Sequence, residues 1–120
     1  MSELATTEKS GVLIIRFTVN RIWTEGEVTK VGERLANLAH SGGNKVVLDF
    51  TGLQQMSSPM LGKILSLQKE CTEHKITLKL CCMEPHIKEV FTATGLHKLL
   101  QIYDTQDSAL AAFKKKGWFW

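Results

Sequence analysis

The sequence lacks the features that mark membrane, secreted or nucleic-acid-binding proteins. No apolar run approaches the roughly 20 residues that a bilayer-spanning helix needs, and the first residues have neither the basic start nor the apolar stretch of a signal peptide. We therefore expect a cytoplasmic protein without stable membrane insertion. The net charge is only +3, and no basic face interleaved with aromatic residues runs through the chain, so nucleic acid is not an expected partner.

Cysteine is also scarce, and its spacing excludes two common uses. Cys71, Cys81 and Cys82 are odd in number and two are adjacent, so they form no disulfide framework and we expect reduced thiols. Cys71 precedes His74 and the adjacent pair precedes His86, but structural zinc requires two ligand pairs at short, regular spacing. We therefore expect no metal and no other cofactor. No catalytic base is evident either, and the protein is not expected to be an enzyme.

The order of patterns along the chain predicts an α/β fold. With 120 residues and 43% hydrophobic composition the chain can bury one core, so residues 1–120 are expected to form a single domain with a short basic and aromatic tail at 114–120. We expect this tail to pack on the domain or to make a protein contact rather than to anchor the protein in a membrane. Strand and helix patterns alternate, which favours a mixed, mostly parallel sheet of about five strands packed with about four helices. The predicted strands are 4–8, 12–17, 45–50, 76–80 and 99–103. The predicted helices are one that Thr24 caps and that ends at 41–43, one at about 59–73, one from 85 to a cap at 94–95, and one from 108 to about 115.

A serine pair follows the predicted central strand. Pro59 has a fixed φ and no N–H, so it suits the first position of a helix, and Ser58 is then the expected N-cap. The free N–H groups and the positive dipole end of such a helix stabilise a capping hydroxyl and would also stabilise a phosphate. The local spacing favours a plain capping serine, with Ser57 as a polar loop residue.

The same region carries a resemblance to a known family. The strand at 46–50, the loop through Met56 and the segment 57–62 resemble the STAS domain pattern of a strand followed by Asp-Ser-Ser/Thr-Gly-Leu-Gly. Further similarities are at 94–96, at 99–100 and at 102–105, and together they cover nearly the whole chain. The family includes bacterial anti-sigma factor antagonists and the cytosolic tails of sulfate transporters.

The resemblance implies a regulatory protein that binds another protein in bacterial transcription control. In such antagonists the partner is an anti-sigma factor that is also a serine kinase of the histidine-kinase-like ATPase type, and it binds the unphosphorylated domain. The implied phosphoacceptor is Ser58, with Ser57 as second choice. Three positions depart from the motif: Ser57 replaces the family's Asp, Pro59 its second Ser/Thr and Met60 its Gly. The expected partner-binding residues are Asn20, Arg21, Gln55, Met56, Ser57, Ser58, Met60 and Lys63.

Two matters stay open from the sequence. The alternative function is a constitutive scaffold of the stressosome type, or a subunit associated with a lipid transporter, in which the same surface is never phosphorylated. A homodimer is also left open.

Overall fold

A computed structural model describes residues 3–117 of the chain, with side chains described for residues 3–114. Seven strands and four helices alternate along this part of the chain. The strands are β1 (Leu4–Lys9), β2 (Val12–Phe17), β3 (Arg21–Ile22), β4 (Lys45–Asp49), β5 (Gln55–Met56), β6 (Thr77–Cys81) and β7 (Ile102–Tyr103). The helices are α1 (Glu25–Ser41), α2 (Ser58–Glu73), α3 (Pro85–Ala93) and α4 (Gln106–Gly117), with a 3-10 turn at Leu96–Lys98.

Five strands form the main sheet, in the order β1-β2-β4-β6-β7. The first two are an antiparallel hairpin, closed by Ser10 and Gly11, which both have positive φ as a type I′ turn requires. All later neighbours in this sheet are parallel. The predicted fold, a mixed and mostly parallel sheet of five strands with four helices, is confirmed.

The central strand separates two hydrophobic clusters. β4 lies in the middle of the sheet, and Val46, Val47 and Leu48 are fully buried because both faces are covered. Alternate side chains enter opposite clusters. Val46 and Leu48 pack in the larger cluster with α1, α2 and α3, whereas Val47 packs in the smaller one under α4.

A buried lysine fixes α4 to the sheet. Lys79 on β6 is only 4% exposed, and its Nζ donates hydrogen bonds to the Tyr103 hydroxyl at 3.3 Å and to the Gln101 side chain. The same ammonium lies 4.9 Å from the ring centre of Phe113 on α4 and 5.2 Å from that of Tyr103. These contacts satisfy the buried charge by hydrogen bonds and by the two aromatic faces.

Several local features differ from the sequence prediction. The strand expected at 99–103 is shorter and comprises only Ile102–Tyr103. A second, two-stranded parallel sheet joins β3 to β5, and two-residue strands leave no periodicity by which to predict them. The N-cap of α2 is Ser57, in extended conformation, rather than Ser58, so the proline lies one position deeper than expected. Helix α4 begins at Gln106, two residues before the predicted start.

Candidate functional site

The candidate site forms where two loops meet the start of α2. The backbone N–H groups of Gln54 and Gln55 donate to the Asn20 carbonyl at 2.8 and 3.1 Å, and the N–H of Ser57 donates to the Ile22 carbonyl at 3.0 Å. In the small sheet Arg21 is the register partner of Gln55. These bonds bring the loop after β2 against the loop that leads into α2.

Most of the residues expected to bind a partner lie where these two loops meet, whereas Lys63 lies farther along α2 with its side chain against Gly32 of α1. We define the docking surface as the residues of that set whose side chains are exposed or half-buried. The exposed residues are Asn20, Arg21, Gln55, Ser58 and Lys63. Met56 and Ser57 are half-buried. The small sheet, invisible in the sequence, is what joins the first two of these residues to the others.

Met60 is the exception, and its predicted place on the exposed face is wrong. Its side chain is 0% exposed and packs in the large hydrophobic cluster. Met60, Ile64, Leu67 and Cys71 are spaced three or four residues apart, and they form the buried stripe of α2. A side chain in this stripe cannot contact a docking partner.

The two serines at the start of α2 differ in access. Ser58 is the first helical residue and is exposed, whereas the Ser57 Oγ is inaccessible to solvent and has no hydrogen-bond partner among the described residues. The Ser57 carbonyl accepts a hydrogen bond from the Met60 N–H at 3.0 Å, which closes the first turn. A modifying enzyme can therefore reach the Ser58 hydroxyl and not that of Ser57 in this conformation.

The charge near Ser58 favours an anion. The first turn of α2 contains no acidic residue, so no side chain offsets the positive end of a helix of 16 residues. Arg21 and Lys63 are exposed basic residues of the same docking surface. The positive end of the helix would stabilise an anion at the position of Ser58.

An exposed tryptophan borders the docking surface and was not among the residues expected from the sequence. Trp23 is 55% exposed and directly follows Ile22, whose carbonyl binds the Ser57 N–H. The Trp23 and Thr24 N–H groups both donate to the Glu27 carboxylate at 2.9 Å, and Thr24 accepts from the Glu27 N–H at 3.1 Å. This capping box fixes the backbone that presents the indole. The sequence signal was a tryptophan just before a predicted helix cap.

The capping box predicts a pH dependence. Hydrogen bonds from the Thr24 and Trp23 backbone lower the pKa of Glu27 below its ordinary value of 4.5. The folded state thus favours the carboxylate, whose stabilisation is present above that value and is lost as pH falls through the lower folded pKa. We expect Glu27→Gln to show a smaller loss of unfolding free energy between about pH 7 and about pH 3 than the unmodified protein, measured by chemical denaturation.

The matched control is Glu25→Gln, which removes an acid from the same first turn without touching the capping box. Its pH profile should follow that of the unmodified protein. Equal profiles for both variants would contradict the role given to Glu27.

An aspartate begins the loop that leads to the site. Asp49 Oδ1 accepts from the Thr51 N–H at 2.8 Å and from its hydroxyl at 2.6 Å, and Oδ2 accepts from the Gln106 amide at 2.8 Å. Burial raises the pKa of Asp49, but the hydrogen bonds from Thr51, Gln106 and Cys82 outweigh burial and lower it. Farther along the same loop, the His86 ring contacts the Gln54 carbonyl. The loop is thus held at both ends.

These features describe a small α/β domain that presents an exposed serine at a helix start, on a surface built by two loops. Within residues 3–117 no helix is long and apolar enough to cross a bilayer. The basic residue Lys114 lies in α4, but Trp118, Phe119 and Trp120 of the expected tail lie outside the described residues.

Comparison with known proteins identifies the family. The STAS domain family profile matches residues 3–109, and the chain belongs to the STAS domain family. BtrV of Bordetella bronchiseptica, which is assigned as an anti-sigma factor antagonist, is 34% identical over 80 residues, covering 67% of this chain and 69% of BtrV. The similarity to STAS domains of the anti-sigma factor antagonist type, stated from the sequence, is confirmed.

Solved structures show the same fold. An anti-sigma factor antagonist (STAS) domain protein from Planctomyces limnophilus has a TM-score of 0.81 at 22% identity, covering 92% of this chain and 97% of that chain. The Bacillus cell fate determinant SpoIIAA in its phosphorylated form has a TM-score of 0.66 at 16% identity, covering 92% of this chain and 98% of that chain. At these identities the likeness concerns the fold.

Proposed function

We propose that this protein is an anti-sigma factor antagonist whose binding to a kinase-type anti-sigma factor is switched off by phosphorylation of Ser58. The observation that carries the proposal is the exposed Ser58 hydroxyl at the start of α2, in the middle of the docking surface. The homology to BtrV supports an anti-sigma factor as the partner. The family's phosphorylated serine or threonine matches Ser58 by position.

The geometry gives the switch a physical basis. A phosphate adds about 1.5 to 2 negative charges at neutral pH. At Ser58 it would lie at the positive end of α2, so the protein itself can stabilise the phosphorylated form. An acidic partner surface would meet that charge directly and be repelled. The proposed change is local, and it needs no rearrangement of the fold.

The remaining parts of the proposal follow from the same role. The serine is a substrate of the partner kinase, and the protein itself is proposed to act by binding rather than by catalysis. Residues 1–120 are proposed to act as one domain in the cytoplasm, where a sigma factor and its regulators operate. The proposed docking surface contains the residues given above together with Trp23, and it excludes Met60.

Trp23 is expected to contribute strongly to partner binding. Exposed aromatic residues next to a docking surface are frequent hot spots, and truncation of a hot spot costs at least about 2 kcal/mol, or roughly 30-fold in affinity. We therefore expect Trp23→Ala to lower the affinity for the partner by that factor, while the unfolding free energy changes by less than about 1 kcal/mol. Titration calorimetry and chemical denaturation measure the two quantities.

Leu99→Ala is the matched control, because Leu99 is a similarly exposed apolar residue, 59% accessible, outside the docking surface. It should bind as the unmodified protein does. A Trp23→Ala variant that binds the partner with unchanged affinity would contradict the assignment of Trp23 to the docking surface.

The function itself is tested by affinity capture from the protein's own cells with Ser58→Ala and Ser58→Asp as baits. The proposal expects Ser58→Ala to retain a protein with a histidine-kinase-like ATPase domain and Ser58→Asp to lose it. Equal capture of a membrane transporter or of a scaffold assembly by both baits would instead support a constitutive subunit.

A further inference from the structure

Two adjacent thiols and a carboxylate meet at the carboxyl ends of neighbouring strands. Asp49 ends β4 and Cys81 ends β6, and the two are register partners in the sheet. In extended backbone the next side chain, that of Cys82, would point to the opposite face. Cys82 instead has a φ of +64°, which places its Sγ 3.4 Å from the Cys81 Sγ. The ligand atoms of all three residues lie within 4.8 Å of one another.

The cluster is buried on one side and open on the other. Asp49 is 3% exposed and Cys81 is fully buried, whereas Cys82 is half-buried. A left-handed conformation at a residue other than glycine is unfavourable by about 1–2 kcal/mol. In this conformation Cys82 packs against the smaller hydrophobic cluster, and its thiol hydrogen-bonds to Asp49. The structural consequence of the conformation is the approach of the two sulfur atoms.

A disulfide between the two cysteines fits this geometry poorly. The Cα atoms of adjacent residues are about 3.8 Å apart across a trans peptide bond. Disulfides usually join Cα atoms that are at least about 4.4 Å apart. A bridging ion, in contrast, requires only that both sulfur atoms reach it from the same side.

We propose that Asp49, Cys81 and Cys82 bind one thiophilic divalent cation, of which Zn²⁺ is the reference case. In a tetrahedral site with zinc–sulfur bonds of about 2.3 Å, the two sulfur atoms are about 3.8 Å apart, close to the separation in this structure. The carboxylate is the third ligand, and the fourth position faces solvent on the Cys82 side. Binding displaces the proton of each thiol to the solvent and forms two metal–thiolate bonds.

The surroundings fit such a site. The two hydrogen bonds from Thr51 to Oδ1 and the one from Gln106 to Oδ2 fix the Asp49 carboxylate, and they leave Oδ2 a further lone pair for an ion. Two thiolates and a carboxylate with a divalent cation carry a net charge of −1. Arg16, an exposed residue of β2, is the register partner of Asp49 on the neighbouring strand.

The sequence predicted no metal, because its loose Cys/His pairs lack the short, regular spacing of a structural zinc site. His86, the histidine nearest to the pair in the sequence, contacts the Gln54 carbonyl in the structure. The third ligand comes instead from Asp49, 32 positions before Cys81, and no local spacing connects these two residues.

The test is a titration of the reduced full-length protein with Cd²⁺ alone, in an oxygen-free buffer without thiols. Cadmium bound to thiolate gives an ultraviolet charge-transfer band that oxygen and nitrogen ligands do not give. The proposal expects one equivalent to bind with this band, and Zn²⁺ to displace it. Cys82→Ser should weaken binding by at least about tenfold, in the range typical of a disturbed metal site.

Asp49→Asn should also weaken binding, and Cys71→Ala is the matched control because it removes a buried thiol of α2 outside the cluster. Circular dichroism establishes that each variant is folded. The proposal is overturned if the unmodified protein gives no thiolate band, or if the Cys82→Ser variant binds Cd²⁺ as tightly as the unmodified protein. The second result would place the ion on ligands other than Cys82, whereas binding without the band would place it on nitrogen or oxygen ligands, for example His40 and His74, whose rings are 4.7 Å apart.

Discussion

Ser58→Asp is expected to weaken binding of the proposed kinase-type anti-sigma factor by about tenfold to a hundredfold, which corresponds to roughly 1.4–2.8 kcal/mol of binding free energy. The added carboxylate lies at the exposed start of α2, where an acidic partner surface would be repelled by it. Ser58→Ala should bind as the unmodified protein does, because the Ser58 hydroxyl is exposed. Titration calorimetry with the purified partner measures both affinities.

Ser66→Asp separates the position of the charge from its mere presence. Ser66 is exposed on the same helix, two turns beyond Ser58, and so an aspartate there adds the same charge away from the helix start. We expect this variant to bind within about twofold of the unmodified protein. Equal affinities for Ser58→Asp and Ser58→Ala would refute the switch.

Met60→Ala is expected to lower the free energy of unfolding by about 2–5 kcal/mol, because it removes a fully buried side chain and leaves a cavity. Met60 packs in the large cluster on the inner stripe of α2. Denaturation by urea, followed by circular dichroism, measures the change.

Lys63→Ala on the same helix is the control for stability, since Lys63 is exposed. Its unfolding free energy should change by no more than about 0.5 kcal/mol. If Met60→Ala were as stable as Lys63→Ala and bound the partner weakly, Met60 would belong to the docking surface after all.

The case of Met60 illustrates what the sequence could and could not predict. The apolar positions of α2 indicated a helix, but Met60 was placed on the docking surface because it stands where the family's motif has its Gly, and the structure buries it. The burial of this residue depends on how α2 lies against the sheet. That orientation is set by tertiary packing, and the helical period alone does not specify it.

The sheet itself was predictable because its signals are local. Ser10 and Gly11 between two β-branched runs indicated the hairpin, and Val46, Val47 and Leu48 indicated a strand buried on both faces. The short pairing of β3 with β5 was not predictable, since two residues carry no period. The resemblance to STAS domains indicated which residues belong to the docking surface. Their arrangement depends on the pairing of β3 with β5, and therefore only the structure shows it.

The cysteine cluster shows a different limit. Adjacent cysteines at the end of a strand give no local indication that their sulfur atoms approach each other, because a regular strand would separate them. The left-handed backbone at Cys82 accompanies the approach of the two sulfur atoms, and the parallel pairing of β4 with β6 places Asp49 beside Cys81. Ligands from separate strands can be recognised only when the register is known.

The most direct test of the switch is peptide mass spectrometry of residues 54–63, from protein purified out of its own cells under two growth conditions. The account predicts a phosphate on Ser58 whose occupancy differs between the conditions, and an unmodified Ser57. Peptides without phosphate in both conditions, with the partner still co-purifying, would contradict it.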